Sequence, residues 1–372
     1  MPKLVQNQTK VSAILSLGLL FMISMFSHHL YDELNISGIE KSSTVYKQKG
    51  THVFGRLDTT NLKNLEQTNF DWITVVTWGY QDDIDGVEIR HDNATDSLKL
   101  LQIGQDLINK INAAHEGGFK VFFKPHLWIS YASNGKWRSD VYPTNEENWL
   151  EWAENYRSFI KKCALIAEQT QVEMFCIGTE LTKLSLGKPL YWKSLITEIR
   201  QIYSGKLTYA ANWYREYEEI SFWDELDYVG IQAYFPLSDK MNPSTNHISD
   251  GWNRYIKSME TIQNKYNKQI IFTELGYKST ADSAIEPWKW LEHAKVEERH
   301  YSLETQSNCY KAFFNSVWNK PWFGGVHIWQ WSTYKRNPSI KKDLNFTPQG
   351  KPAEHIIAEA FAQNNKSDIA GK

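Results

Sequence analysis

Mostly apolar runs recur along this chain and alternate with longer amphipathic stretches. The run at 70–78 is nearly continuous in apolar residues, which is typical of a strand buried on both faces. Between the runs, apolar residues recur at helical spacing, as in the predicted helix over 95–114, which stops at Gly117-Gly118. We predict strands at 51–55, 70–78, 119–126, 172–180, 207–212, 228–234, 269–274 and 325–331.

A strand followed by a helix, repeated eight times, predicts a parallel α/β fold of the (β/α)8 TIM barrel type in a single domain. The alternative is an open doubly wound sheet. Sheets of that kind often cradle phosphates, but no G-x-G-x-x-G follows the first strand and no G-x-x-x-x-G-K-[ST] occurs in the chain. The barrel is therefore the preferred prediction.

The N-terminus departs from this pattern. Lys3 and Lys10 precede the uncharged run 11–27, which is typical of an export signal. No small-residue cleavage site follows, so a cleaved signal and an uncleaved membrane anchor both remain open, with a buried core helix as a third alternative. The protein would be exported, and either anchored in the membrane through 11–27 or secreted or periplasmic. We expect a signal or anchor at 1–27, a polar tether at 28–50, the barrel at 51–362 and a polar tail at 363–372.

Composition narrows the class of ligand. A formal net charge of −2 gives no reason to expect nucleic acid as a partner. Sixteen Trp and 19 Tyr are an unusual number, and the flat C–H faces of sugars pack on such rings, so a carbohydrate ligand is indicated; the alternative is an aromatic-rich core. The three cysteines and the scattered histidines show no metal-binding spacing, and G-x-S-x-G is absent. We therefore expect no metal and no cofactor.

Two glutamates stand where predicted strands end. Glu180 closes the fourth strand and Glu274 the seventh, and neither has a cation beside it in the sequence. Active sites of (β/α)8 barrels lie at the carboxyl ends of the strands, where these two strands stand on roughly opposite walls. Two carboxylates flanking one bond are what glycoside hydrolysis requires, one as a proton donor and one ionised. A structural role for the pair is the alternative.

The chain also resembles a known family. The segments that carry the resemblance are Lys124-Pro125-His126, Ile177-Gly178-Thr179-Glu180, Phe272-Thr273-Glu274-Leu275-Gly276-Tyr277 and Thr347-Pro348-Gln349-Gly350-Lys351-Pro352. They are similar to glycoside hydrolase family 113, whose members are chiefly endo-β-1,4-mannanases of the retaining (β/α)8 clan. The resemblance covers about residues 50–362.

The resemblance implies roles for individual residues. Glu180 would be the general acid/base, Glu274 the nucleophile, and Tyr234 the aromatic residue that hydrogen-bonds the nucleophile. Thr179 departs from the clan, much of which has an asparagine there that holds the substrate 2-hydroxyl. The candidate substrate-binding residues are Trp78, His126, Trp128, Asn212, Tyr234, Tyr277, Trp329 and Trp331, with Trp329 or Trp331 matching the tryptophan that floors the subsite at the cleaved bond.

The sequence therefore predicts a retaining glycoside hydrolase that cleaves a β-linked polysaccharide or oligosaccharide, with β-1,4-mannan the leading substrate. Its mechanism would be a two-glutamate double displacement. Two alternatives remain: a non-catalytic carbohydrate-binding barrel at the cell surface, and the same chemistry on xylan or β-glucan.

Overall fold

The computed structural model describes residues 46–91, 97–132, 135–290, 300–334 and 342–369, with the backbone alone for 97–103 and 364–369. The predicted signal or anchor segment, most of the predicted tether and residues 370–372 lie outside the described residues. Within those ranges, none of the helices combines the length and the apolar character needed to cross a membrane.

Parallel strands close into a barrel. Eight of the nine described strands run parallel, and β1 pairs with both β9 and β2, which completes the ring. The remaining strand, β3, pairs antiparallel with the end of β2 and forms a short hairpin. The barrel prediction is confirmed, and the open sheet is excluded. The strands are β1 (Gln48–Phe54), β2 (Trp72–Gln81), β3 (Arg90–His91), β4 (Lys120–Ile129), β5 (Met174–Thr179), β6 (Lys206–Asn212), β7 (Val229–Gln232), β8 (Ile270–Leu275) and β9 (Phe323–Ser332).

Helices cover the outside of the barrel. Their apolar faces join one main core with the outward-facing side chains of the strands. Two short 3-10 turns, Arg138–Asp140 and Trp223–Glu225, lie in the loops. The helices are α1 (Thr59–Gln67), α2 (Ser97–Glu116), α3 (Glu146–Gln169), α4 (Thr182–Gly187), α5 (Pro189–Arg200), α6 (Glu216–Glu219), α7 (Thr245–Tyr266), α8 (Leu303–Phe313), which continues as a π turn at Phe314–Trp318, and α9 (Pro352–Ile369).

The last helix, α9, was not predicted. Pro352 occupies its first turn, where a missing N–H costs nothing. Ala353, Ile357 and Phe361 lie four residues apart and are fully buried. The helix continues through 363–369, which the sequence analysis assigns to a tail. The polar composition after Phe361 conceals this continuation, because it carries no apolar stripe.

A second, smaller core fills the barrel at the amino-terminal ends of its strands. Its members are buried and pack separately from the main core: Trp72, Phe122, Met174, Cys176, Ala210 and Ile271. Side chains on a strand alternate between its two faces, so the residues two and four positions after Phe122 also point into the barrel. These residues are Lys124 and His126, and the packed floor beneath them leaves the carboxyl-terminal mouth as the open end.

Two glycine-to-alanine substitutions should have opposite effects on stability. A Cβ at Gly230, in β7, would overlap the carbonyl oxygen of Tyr209 on the neighbouring strand. We expect Gly230→Ala to lower the free energy of unfolding by about 1–3 kcal/mol through overpacking. A Cβ at Gly104, inside α2, meets nothing within 4 Å. Gly104→Ala should raise the free energy of unfolding by about 0.5–1 kcal/mol, since glycine weakens a helix interior. Urea unfolding of both variants measures this, and equal effects would contradict the packing described.

Candidate active site

Glu180 lies at the barrel mouth, directly after β5. Its φ is +53°, an uncommon conformation for a residue with a side chain. The backbone N–H of Glu180 donates to the carbonyl of Ala210, 2.9 Å away, which continues the pairing of β5 with β6 through the turn. The side chain is 12% exposed. Its Oε1 accepts a 3.4 Å hydrogen bond from Asn212 Nδ2, and its Oε2 lies 3.7 Å from Arg138 Nε.

The surroundings of Glu180 favour its protonated form. Burial raises the pKa of Glu180, and the negative charge of Glu274 raises it further. Arg138 and Lys124 oppose this shift through their positive charges, and a hydrogen bond from the side chain of Trp137 opposes it as well. The pKa nevertheless lies above the ordinary value of a glutamic acid. Glu180 therefore keeps its proton to higher pH than an exposed glutamate would.

Glu274 is held by donors on both of its oxygens. Its side chain is 5% exposed. Tyr234 OH donates to Oε2 at 2.7 Å, and Lys124 Nζ donates to Oε1 at 2.5 Å. The ring nitrogens Nε2 of His126 and His52 lie 3.7 and 3.8 Å from Oε1. An ammonium and a phenol hydroxyl are directed at the two oxygens, so Glu274 accepts a hydrogen bond on each of them.

Lys124 is fully buried beside Glu274. Its ammonium also donates to Gln232 Oε1 at 2.7 Å, and the same oxygen accepts from Thr273 Oγ1 at 3.0 Å. Burial lowers the pKa of Lys124, while the negative charge of Glu274 acts in the opposite direction. A buried charge is tolerated only when it is paired and hydrogen-bonded, and Lys124 meets both conditions.

Arg138 lies between the two carboxyl groups and contacts Glu180 and the histidine beside Glu274. Its Nη1 lies 2.8 Å from His126 Nδ1, and its Nε faces Glu180. A guanidinium has only donors, so His126 Nδ1 must be the acceptor and the proton of the neutral ring resides on Nε2. That N–H faces Glu274. Burial, Lys124 and Arg138 all lower the pKa of His126, which keeps the ring neutral.

Aromatic rings line two sides of this cleft. On one side, Trp78 contacts His126 with ring centroids 4.8 Å apart, and Trp128 contacts Trp78 and Trp137 at 5.6 Å. On the other side, Trp329 packs with Tyr234 and Phe346 and against the ring of His52. Farther out, Trp213 stacks on Trp288 at 5.1 Å, and Trp288 is 38% exposed. The cleft thus offers flat apolar surfaces around two carboxylates.

The chain that carries this site matches a known family. The model of glycoside hydrolase family 113 matches residues 46–351. The chain belongs to glycoside hydrolase family 113. It is a glycosidase. Two solved β-1,4-mannanases of family 113 are 27% and 28% identical to it, with TM-scores of 0.70 and 0.69, and each match covers 85% of this chain and 99% of the other.

Two further solved structures are similar to this chain, with lower sequence identity. A family 113 β-mannanase from Alicyclobacillus acidocaldarius, solved in complex with ManMIm, is 25% identical with a TM-score of 0.72, and the match covers 86% of this chain and 98% of that one. A β-glucuronidase from Faecalibacterium prausnitzii is 14% identical with a TM-score of 0.55, over 86% of this chain and 49% of that one, and shares the fold alone. No curated protein matches the chain in sequence.

Most of the residues that we predicted for the site lie together in this family 113 barrel. The predicted hydrogen bond from Tyr234 to Glu274 is present. The residues that the structure brings to the cleft are Trp78, His126, Trp128, Glu180, Asn212, Tyr234, Glu274 and Trp329. No group of three or more His, Cys, Asp or Glu side chains in the described ranges is arranged to hold a metal ion.

Two predicted substrate-binding residues lie elsewhere. Trp331, which we predicted as a substrate-binding residue alongside Trp329, packs instead against Phe70 in the main core. The pairing of β1 with β9 changes register before Trp331, so simple alternation does not hold there. Tyr277 is fully buried, and its ring contacts Tyr310, also in the main core. The chain has passed the end of β8 by Tyr277 and has turned away from the cleft.

Three further residues beside the carboxylates were not predicted as site residues: Lys124, Arg138 and His52. Lys124 carries a signal that could have been used, because a lysine inside an apolar strand, two residues before a predicted site histidine, must share its face. His52 has the same kind of signal within β1. Arg138 has none, since it lies in a loop and reaches the site only through the path of that loop.

The tautomer of His126 can be measured. We expect Nε2 to be protonated and Nδ1 to be a bare acceptor, and we expect the ring to stay neutral in mildly acidic solution because its pKa is lowered. Nitrogen NMR of the protein labelled in its histidine rings reports both states, with the signals assigned by their loss in His126→Asn. A proton on Nδ1 would contradict the contact with Arg138.

Proposed function

We propose that this glycosidase cleaves β-1,4-mannan with retention of configuration, using Glu274 as nucleophile and Glu180 as general acid/base. One observation carries the proposal: a buried carboxyl group and a mostly buried one share one cleft and have opposite surroundings. Burial raises the pKa of Glu180, whereas Glu274 accepts from an ammonium and a phenol. A retaining glycosidase requires this difference between its two carboxyl groups.

In the first step, Glu274 attacks the anomeric carbon while Glu180 protonates the departing oxygen. Tyr234 and Lys124 hold the two oxygens of Glu274 and thereby direct the carboxylate at the sugar. The attacking oxygen becomes an ester oxygen, so one of these hydrogen bonds must weaken in the intermediate. Gln232 still accepts from Lys124, which keeps the buried ammonium hydrogen-bonded at this stage.

In the second step, Glu180 takes a proton from water while the water oxygen attacks the anomeric carbon, and the ester bond to Glu274 breaks to release the sugar. The negative charge of Glu274 raises the pKa of Glu180 in the resting enzyme. Formation of the glycosyl ester removes that charge, so the pKa of Glu180 falls when the residue must act as a base. The same pair of residues thereby supports an acid in the first half of the cycle and a base in the second.

The choice of mannan rests on the solved structures of family 113, which are β-mannanases that the match covers over nearly their full length.

The contact with the substrate 2-hydroxyl is assigned by eliminating Thr179. The Oγ1 of Thr179 faces the carbonyl of Pro125 at 3.4 Å, and Thr179 is buried. Asn212 instead presents its amide beside Glu180 and is our choice for this contact.

A non-catalytic binding barrel has no need for the donors around Glu274, so we do not propose it.

The first test measures reducing sugar released from β-mannan, xylan and cellulose. We expect the highest activity on mannan, and a loss in kcat of about 10²–10⁴-fold in Glu180→Gln and Glu274→Gln, since each removes one half of the acid and nucleophile pair. Glu219→Gln is a matched control, because Glu219 is exposed and pairs with Arg215 on the surface.

Higher activity on xylan or cellulose would keep the mechanism and replace the substrate. Full activity in either glutamine variant would contradict the two-glutamate mechanism.

A second test concerns the pH profile. Arg138 lowers the pKa of Glu180, so its removal should raise that pKa. Protonated Glu180 is the active form in the first step, and activity is lost as pH rises through its pKa. The alkaline limb of kcat/KM should therefore move to higher pH in Arg138→Gln. Arg215→Gln removes an exposed guanidinium and should leave the limb unchanged. A shift to lower pH in Arg138→Gln would contradict this assignment.

A further inference from the structure

A third carboxylate, Glu216, is buried behind the cleft. It is the first residue of α6, a few residues beyond the end of β6, and its accessible surface is zero. The mechanism proposed above does not use it. Burying an ionisable side chain is costly unless its surroundings satisfy it, so its presence at this position needs an explanation.

Four hydrogen-bond donors surround Glu216. Its Oε1 accepts from Ser185 Oγ at 2.6 Å and from Tyr209 OH at 2.7 Å. Its Oε2 accepts from the backbone N–H of Asn212 at 2.6 Å and from Thr182 Oγ1 at 3.1 Å. With two donors on each oxygen, the carboxylate acts as an acceptor on all sides. Burial raises the pKa of Glu216 to about 7, even though the hydrogen bonds offset part of the effect of burial.

Three of these donors lead to the segment that follows Glu180. Tyr209 OH accepts a 2.8 Å hydrogen bond from the N–H of Leu181, the residue that follows Glu180. Because that hydroxyl accepts from Leu181, its own proton is directed at Glu216. Thr182 and Ser185 belong to α4, which begins at once after the turn.

The fourth donor leads to the side chain of Glu180. The backbone N–H of Asn212 binds Glu216, while its side-chain amide donates to Glu180 Oε1. Glu216 therefore ties together the loops that follow two neighbouring barrel strands. One loop carries Glu180 in a left-handed conformation, and such a conformation persists only where the surrounding structure holds it.

We propose that Glu216 is a positioning residue for the acid/base: through Tyr209, α4 and Asn212 it holds the Glu180 turn so that the carboxyl group faces the leaving oxygen. This inference rests on the proposed role of Glu180. Glu216 does not touch the substrate. Its effect is specific to proton donation, because the network reaches the Glu180 side of the cleft, whereas Glu274 is held by Lys124 and Tyr234.

The test uses two aryl β-mannosides or β-manno-oligosaccharides that differ in their leaving group. Dinitrophenolate departs without protonation, so kcat/KM for a dinitrophenyl glycoside does not depend on the general acid. Phenolate departs poorly, so kcat/KM for a phenyl glycoside does. We expect Glu216→Gln to lower kcat/KM about 10- to 100-fold for the phenyl glycoside and only a few-fold for the dinitrophenyl glycoside, which is part of the roughly 10²–10⁴-fold that general acid catalysis supplies. The amide keeps the shape but directs an NH2 at two of the donors.

A variant that merely loses folded protein would lower both values equally and leave their ratio unchanged. Tyr209→Phe provides an independent check, because it removes the hydroxyl that links Leu181 to Glu216 and should change the ratio in the same direction. Glu219→Gln, the same substitution on the exposed side of α6, should leave both values as they are. Circular dichroism of each variant confirms that it is folded.

Glu180→Gln separates this inference from the function it rests on. If Glu180→Gln shows the loss dependent on the leaving group and Glu216→Gln does not, the positioning role is overturned while the acid/base assignment stands. If Glu180→Gln itself shows no such dependence, the acid/base assignment fails. A loss that depends on the leaving group in Glu180→Gln, Glu216→Gln and Tyr209→Phe alike supports the proposal.

Discussion

The buried ion pair of Lys124 and Glu274 is the constraint on which the site depends. Neither charge could remain alone in this interior, because desolvation of an isolated ammonium or carboxylate is far more costly than a hydrogen bond can offset. The pair is tolerated because each member has further partners, Gln232 for the lysine and Tyr234 for the glutamate. These partners come from β7 and the residues after it, while Lys124 comes from β4, so only a closed barrel brings them together.

The two carboxylates differ because the walls around them differ. Glu274 belongs to a strand and is held by donors from inside the barrel. Glu180 follows its strand in a turn, where its partners are an arginine from a loop, an indole and an amide. Residue type therefore does not distinguish the proposed acid from the proposed nucleophile. The neighbours that the topology supplies make the distinction, which is the usual way in which one side chain serves opposite roles.

The sequence predicted the barrel and both glutamates because each depends on local signals. An apolar run followed by an amphipathic stretch is visible without tertiary information, and a carboxylate at a strand end is visible in the same pattern. Arg138 could not be found this way, since no periodicity relates a loop residue to the strand that it approaches. Trp331 was misplaced because a register shift between β1 and β9 interrupts the alternation. The outer helix α9 was missed because its apolar stripe covers only its first half.

The placement of the two cations follows from the course of the proposed reaction. The proposed mechanism places the negative charge of the resting enzyme on Glu274, next to Lys124 at 2.5 Å, and the transferable proton on Glu180. After the first step Glu274 is an ester and the negative charge is on Glu180, 3.7 Å from Arg138. The total charge of the cleft does not change, because one negative charge has moved from one carboxyl group to the other. Each carboxylate thus has its own cation when it is ionised, and His126, which accepts from Arg138 and faces Glu274, stays neutral between them. A cleft with a single cation would stabilise one half of the cycle at the expense of the other.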